Sequence, residues 1–277
     1  MIKYRKDTDD IVTLTLDMKG SAFNVLNHKI SLAFEPVIAQ LRQEIRASQL
    51  SGVIITSDKK NFLIGGDLEY IYQINNAEEV FQFTENIKGI FRAIEQLGVP
   101  VVAAINGNAL GSGFELALAC HHRIAVKNAR TRLGFPEIRL GLMPSGGGVT
   151  RLVWLNGLEK TYPILTEGRL YRPIEALKYE IIDDVAEDEK DMIHKAKNWI
   201  SDNLDYKRPW DQSNYSLPGG NIETPQITKW IAETNARLMK NTKGNFPAHQ
   251  VILGTMVEAA SVDFDTANRI ESRFLHN

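Results

Sequence analysis

The chain has 277 residues, 43% of them hydrophobic and 24% charged, with a formal net charge of −2. That is the balance of an ordinary globular protein with material for one large core or two modest domains, and it excludes a global affinity for nucleic acid, so a polyanionic ligand needs a local basic site. A single cysteine, Cys120, excludes an intramolecular disulfide, and the polar start MIKYRKDTDD lacks the apolar stretch of a signal peptide; both predict a reducing cytoplasm.

From Val12 to Met18 apolar residues alternate with the period of a strand that buries one face, and GVIITS from Gly52 to Ser57 reads as a second strand. Between them Ile30, Phe34, Val37, Ile38, Leu41 and Ile45 mark one helix face, with Pro36 kinking that helix or standing near its start. Helical spacing returns from Val80 to Leu97 and stops at Gly98, after which Pro100 opens the apolar strand VVAAI. The run from Val99 to Ile105 is far short of the roughly 20 residues that span a bilayer, so no membrane span is expected. Phe114 to Cys120 predicts a short buried helix, Arg123 to Val126 and Arg130 to Phe135 further strands, and Gly146, Gly147 and Gly148 precede a helix through Leu155. Strand and helix alternate, so the class is α/β.

Near Glu187 the texture changes. An acidic run and a helix lead to a Pro/Gly/Asn/Ser-rich loop or linker from Arg208 to Pro225, then to helices around Ile227 to Leu238 and Val251 to Val262, with Asp263 or Asp265 placed to cap a last one. The division expected is a core over residues 1–187 and a helical region over 188–277.

Several features bear on chemistry. Gly111, Ser112 and Gly113 lie between a strand and a helix, but Leu116 occupies the third glycine position of a dinucleotide-binding turn, so no nucleotide cofactor is expected. Leu110 and Phe114 likewise exclude a nucleophile elbow at Ser112. His121 and His122 are adjacent and point to opposite faces of a strand, and the other histidines are scattered, so no metal site is expected. Glu115, followed by LALAC, is either a helix-start carboxylate favoured by the helix dipole or a group held there for chemistry. Glu137 sits among Leu133, Phe135, Ile138 and Leu140 and raises the same question. In NFLIGGDLEY, from Asn61 to Tyr70, two glycines end a strand where free N–H groups are able to face a ligand oxygen. Lys59 and Lys60 precede it and read either as contacts for ligand phosphates or as a solvated turn.

Taken in order, these segments resemble the crotonase (enoyl-CoA hydratase/isomerase) family from about Ile11 to Val185. Its F-x-x-G-A-D-type turn is similar to Phe62 to Asp67, its A-x-N-G-x-A-x-G-G-G-x-E run to AAINGNALGSGFE ending at Glu115, and its G-x-P-E-x-x-x-G-x-x-P-G-x-G-G run to GFPEIRLGLMPSGGG from Gly134 to Gly148. The resemblance implies a spiral of ββα units with C-terminal helices, and an acyl-CoA thioester as substrate without a further cofactor. It assigns an oxyanion hole to the backbone N–H groups of Gly66 and Ser112, an acid/base pair to Glu115 and Glu137, and substrate contacts to Ile64, Gly65, Asp67, Gly111, Pro144 and Gly146. Two glutamates at these positions imply the hydratase branch, Glu115 activating water and Glu137 supplying the proton that reaches the α-carbon. A Δ3,Δ2-enoyl-CoA isomerase and a non-catalytic acyl-CoA- or RNA-binding homologue are the alternatives.

The chain departs from the family at Ser112 and Ser145, where glycine is usual, and in KYEIIDDV from Lys178 to Val185, where many relatives have a glycine after the helix. The stretch from Asn245 to Asn277 resembles the end of the hydratase region in multifunctional β-oxidation α-subunits, which continue into a 3-hydroxyacyl-CoA dehydrogenase. The resemblance therefore implies part of such a protein, partnered by a thiolase, or else a single-function hydratase that forms trimers.

Overall fold

The structure, a computed structural model, describes residues 1–67, 69, 73 and 76–274. The chain opens with a hairpin the apolar periodicity does not announce: Ile2–Lys6 (β1) pairs antiparallel with Ile11–Leu16 (β2). His28–Arg46 (α1) follows, capped by the Asn27 side chain, which accepts from Ile30 N–H. Pro36 lies well inside this helix, and Leu32, whose carbonyl loses its donor, is exposed like Pro36 itself.

The chain then repeats one unit three times, a strand in a large sheet, a two-residue strand in a small sheet, and a helix. Gly52–Ser57 (β3) and Leu63–Ile64 (β4) precede Ala77–Glu95 (α2); Val101–Ile105 (β5) and Ala109–Leu110 (β6) precede Ser112–Ala119 (α3); His122–Val126 (β7) and Leu133–Gly134 (β8) precede Gly148–Thr166 (α4). Leu170–Tyr171 (β9), Pro173–Lys178 (α5), Asp184–Ala186 (β10) and Glu189–Asp202 (α6) complete the layers. The large sheet runs β1-β2-β3-β5-β7-β10 and is parallel apart from its first pair; the small one runs β4-β6-β8-β9, with only the β8/β9 pair antiparallel. These are the coils of the α/β spiral that the resemblance implies. The strand expected from Arg130 to Phe135 shrinks to Leu133–Gly134, because Asn128 and Arg130 are held in a turn, Asn128 Oδ1 accepting from Arg130 N–H.

The central strands are apolar throughout because both sheet faces are covered. Val53 and Ile55 of β3 and Val101, Ala103 and Ile105 of β5 join the main core, while Ile54, Val102, Ala104 and Ile124 meet Met192, Ala196 and Ile200 of α6 on the opposite face. No helix among the described residues is long and apolar enough to cross a membrane.

Register in the small sheet positions everything that follows. Leu63, Ala109 and Leu133 stand side by side, as do Ile64, Leu110 and Gly134, so the segments beginning at Gly65, Gly111 and Phe135 leave three neighbouring coils at the same edge. The coils approach closely enough that a Cβ at Gly113 would stand 1.9 Å from the Leu63 carbonyl oxygen. That contact is backbone and has nowhere to retreat. Gly113→Ala is expected to lower unfolding free energy by about 1–3 kcal/mol or more through overpacking, read from the urea midpoint at constant m-value; an unchanged midpoint would mean the coils are looser than this.

Beyond α6 the segment 208–225 is irregular, with a 3₁₀ turn at Pro209–Asp211, but it is a docked loop and no free tether. Arg208 is fully buried, donates to the carbonyls of Leu118 and Cys120 at the end of α3, and with Arg151 shares the buried carboxylate of Glu95. Breaking one partner of such a buried set typically costs about 3–5 kcal/mol. Pro225–Thr242 (α7), Pro247–Ala259 (α8) and Phe264–Arg273 (α9) follow, α9 capped by Asp263, whose side chain accepts from Thr266 N–H. Helix α8 packs on α4, and α9 packs on α2, α4 and α8.

Candidate active site

A cavity of about 180 Å³ opens at the shared edge of the three coils. Its floor is Ile64, Gly65, Gly66, Leu110, Gly111 and Ser112, and across from these stand Glu115, Pro136, Glu137 and Ser145, with Leu140, Leu142 and Met143 supplying apolar wall. Of the residues singled out in the sequence, Glu115, Glu137, Gly66, Ser112, Ile64, Gly65 and Gly111 therefore come together. Asp67, Pro144 and Gly146 do not line the cavity: Asp67 N–H donates to Leu26 O, Pro144 is buried behind the wall, and Gly146 faces Glu115 with its N–H.

Two backbone donors border this space. Gly66 bridges to Leu26 only through its neighbours, Leu26 N–H donating to Gly65 O and Asp67 N–H to Leu26 O; the Gly66 N–H itself has no acceptor among the described residues. Ser112 is the first residue of α3, where a helix leaves its N–H groups unsatisfied, and its N–H likewise has none. Gly111 before it takes φ 51° and accepts Phe114 and Glu115 N–H on its carbonyl. The serine in place of glycine thus leaves the donor intact.

Glu115 is completely buried in the first turn of α3. Its Oε1 accepts from Gly146 N–H at 2.7 Å and Gly148 N–H at 2.9 Å, the turn that opens α4, whereas its Oε2 has no partner. Burial, then the nearby charge of Glu271, pushes its carboxyl up to about 7 against those two donors and Lys88, which pull it down. Glu137 begins a 3₁₀ turn at Glu137–Leu140, and its Oε1 lies where a Cβ on Gly111 would come within 2.3 Å. Its Oε2 is buried without a partner, and burial followed by the charge of Glu115 pushes its carboxyl up to about 8. The pair shares its charge unequally: Glu115, held by two N–H groups, is the first to ionise, and Glu137 keeps its proton longer.

Such an arrangement offers a base, an acid and two N–H donors around one small apolar-walled space, the set needed to move a proton beside a carbonyl that gains negative charge. Among the described residues no group of three or more His, Cys, Asp or Glu is placed to hold a metal ion. His121 is a core residue: its Nδ1 accepts from Val101 N–H, its Nε2 bonds Glu95 O, and burial pushes it down to about 3. His122 stacks on Trp199. Lys59 pairs with Asp17 at 2.9 Å. Neither Lys88 nor Glu271, which face the back of Glu115, stood out in the sequence; one is a charged residue among the buried positions of α2, the other lies near the chain's end.

The model of the Enoyl-CoA hydratase/isomerase family matches residues 7–208. Among curated proteins, the fatty acid oxidation complex subunit alpha of Shewanella loihica is 36% identical over 247 residues, covering 88% of this chain and 34% of that one. The same subunit of Shewanella amazonensis is 33% identical over 276 residues, covering 97% and 37%. The chain thus spans about a third of the length of these relatives. Among solved structures, the enoyl-CoA hydratase of Bacillus anthracis superposes with a TM-score of 0.65 at 30% identity, over 73% of this chain and 75% of that one. One from Geobacillus kaustophilus, at 19% identity, shares the fold over 99% of this chain and 86% of its own, with a TM-score of 0.65.

Proposed function

Because this chain belongs to the enoyl-CoA hydratase/isomerase family, we propose that it adds water across the 2,3 double bond of a trans-2-enoyl-CoA to give a 3-hydroxyacyl-CoA. The observation that carries the reading is the unequal carboxyl pair facing one cavity with two unspent backbone donors. The thioester oxygen sits between the N–H groups of Gly66 and Ser112. Glu115 as carboxylate takes a proton from water while the water oxygen bonds to the β-carbon, and the electron pair of the double bond moves through the α-carbon onto the thioester oxygen. Collapse of that enolate takes a proton from Glu137 at the α-carbon. Glu115 ends protonated and Glu137 ionised, and a proton passed between them or through solvent restores the start.

Ile64, Gly65 and Gly111 border the acyl-thioester, and Leu140, Leu142 and Met143 wall its alkyl part. Asp67, Pro144 and Gly146 act behind the wall, Gly146 through its bond to Glu115. The chemistry asks for no cofactor beyond the substrate's own CoA. Residues 1–187 carry it, with 188–277 as the helical region. In a full protein of the α-subunit type, the reaction belongs to fatty-acid β-oxidation in the cytoplasm, beside a 3-hydroxyacyl-CoA dehydrogenase and a thiolase; as a single-function enzyme the chain forms a homotrimer.

The test is the purified chain with crotonyl-CoA. Loss of the conjugated enoyl-thioester absorbance and appearance of 3-hydroxybutyryl-CoA are expected; binding of the thioester without either would leave an acyl-CoA-binding protein. If only a 3-enoyl-CoA were turned over, the chain would be an isomerase.

A further inference from the structure

The turn that holds Glu115 is itself held by a second carboxylate. Four of the five N–H groups from Gly146 to Thr150 divide between two glutamates: Gly146 and Gly148 donate to Glu115 Oε1, while Gly147 donates to Glu271 Oε1 at 2.8 Å and Thr150 to Glu271 Oε2 at 2.8 Å. The Thr150 hydroxyl adds a third bond to Glu271 Oε2 at 2.7 Å. Glu271 stands on α9, 124 residues downstream of Gly147 and outside the span 7–208 that carries the family match. Both carboxylates exploit the donors that the start of α4 leaves unsatisfied. They differ in what remains: Glu271 is fully buried with both oxygens engaged, whereas Glu115 keeps Oε2 free.

The geometry points to Glu271 as a positioning residue for Glu115: by anchoring Gly147 and Thr150 it fixes the turn whose Gly146 and Gly148 N–H groups orient the base. Gly147 lies between the two donors, so any movement of it displaces both. The inference rests on the hydratase reading for its rate consequences, but on geometry alone for the link from α9 to the base.

The charged groups around the pair come from each packed element. From α2, Lys88 donates to Asn268 O at 2.6 Å and Ser272 Oγ at 2.8 Å, and Glu85 accepts from that serine. From α4, Arg151 spans the Gly146 and Gly147 carbonyls and pairs with Glu95. Glu137 faces Glu115 from the cavity side. Within this set the charge of Glu271 favours the protonated form of Glu115, and Lys88 opposes it.

Glu271→Gln removes the charge and leaves one backbone N–H without an acceptor. It is expected to lower kcat on crotonyl-CoA about 10-fold to 100-fold with KM little changed, a misplacement effect, and to weaken the hydrogen-exchange protection of the Gly146 and Gly148 N–H groups that Glu115 accepts. Glu271→Asp, which keeps both acceptor oxygens, is expected to recover part of each. A cap that serves the fold alone would lower the melting temperature while the folded enzyme kept its kcat and the protection of these two amides, and that result overturns the proposal. A wild-type chain inactive on enoyl-CoA therefore sinks the hydratase reading alone, whereas Gly146 and Gly148 amides indifferent to Glu271→Gln sink this one alone.

Discussion

Glu115→Gln is expected to lower kcat for crotonyl-CoA hydration by about 10²-fold to 10⁴-fold, and Glu137→Gln by a similar factor, with smaller changes in KM. Each amide keeps the size of the side chain, and at residue 115 the amide oxygen still accepts Gly146 and Gly148 N–H, so what is lost is the carboxyl's proton chemistry. Because both groups serve one addition, the double variant should lose less than the product of the single losses. Full activity in Glu137→Gln alone would favour a one-carboxylate isomerisation; full activity in both would remove the pair from catalysis.

The same carboxyls give a pH signature with a fixed sign. Activity needs Glu115 ionised and Glu137 protonated, so kcat/KM should trace a bell between limbs near about 7 and about 8, belonging to the pair jointly. Both groups are raised above the ordinary 4.5, so in that range the folded chain holds protons that the unfolded chain has released. Their contribution is fully present below about pH 4 and is lost as pH rises through about 7 and about 8. Each Gln variant should therefore be more stable than the parent at pH 8, by thermal melting. A lower melting temperature there would mean the carboxyls are not held against burial as described.

How much of this was legible follows from where each part is encoded. The strands at Gly52–Ser57 and Val101–Ile105 were read to the residue, since burial on both faces writes an unbroken apolar run between turn residues. Glu115 and Glu137 were visible as carboxylates in apolar surroundings, whereas Gly66 and Ser112 were singled out by the family resemblance, since a glycine turn alone names no donor. The hairpin strand Ile2–Lys6 was missed because its half-buried face holds only two apolar residues, Ile2 and Tyr4, followed by Lys6 and alternating with exposed Lys3 and Arg5. The helix expected to end at Leu155 does break at Gly157, whose φ of 75° and ψ of 176° are not helical, and a second helical stretch then runs on to Thr166. Glu180, just after α5, takes φ 57°, a conformation that favours glycine, so the segment from Lys178 to Val185 carries a strained residue there. Lys88, Glu271 and the Arg151–Glu95–Arg208 set were illegible because their partners lie far along the chain, and only packing of α9 and of the 208–225 loop brings them together.

Gly66→Pro is expected to reduce kcat by about 10²-fold to 10³-fold, the cost of one oxyanion donor, while Gly66→Ala, which keeps the N–H, should retain turnover. The proline removes the donor and nothing else from the hydrogen-bonding of the fold, since the bridge to Leu26 runs through Gly65 O and Asp67 N–H. Stability is thus expected to survive, and circular dichroism with a thermal melt checks it before kinetics are read. Ser112→Gly is the companion on the other side of the thioester oxygen: the helix-start N–H persists and only a side chain at the cavity wall is lost, so activity should hold or rise. A folded Gly66→Pro enzyme that hydrates crotonyl-CoA at the parental rate would place the enolate oxygen elsewhere, and with it the geometry from which the roles of Glu115 and Glu137 were derived.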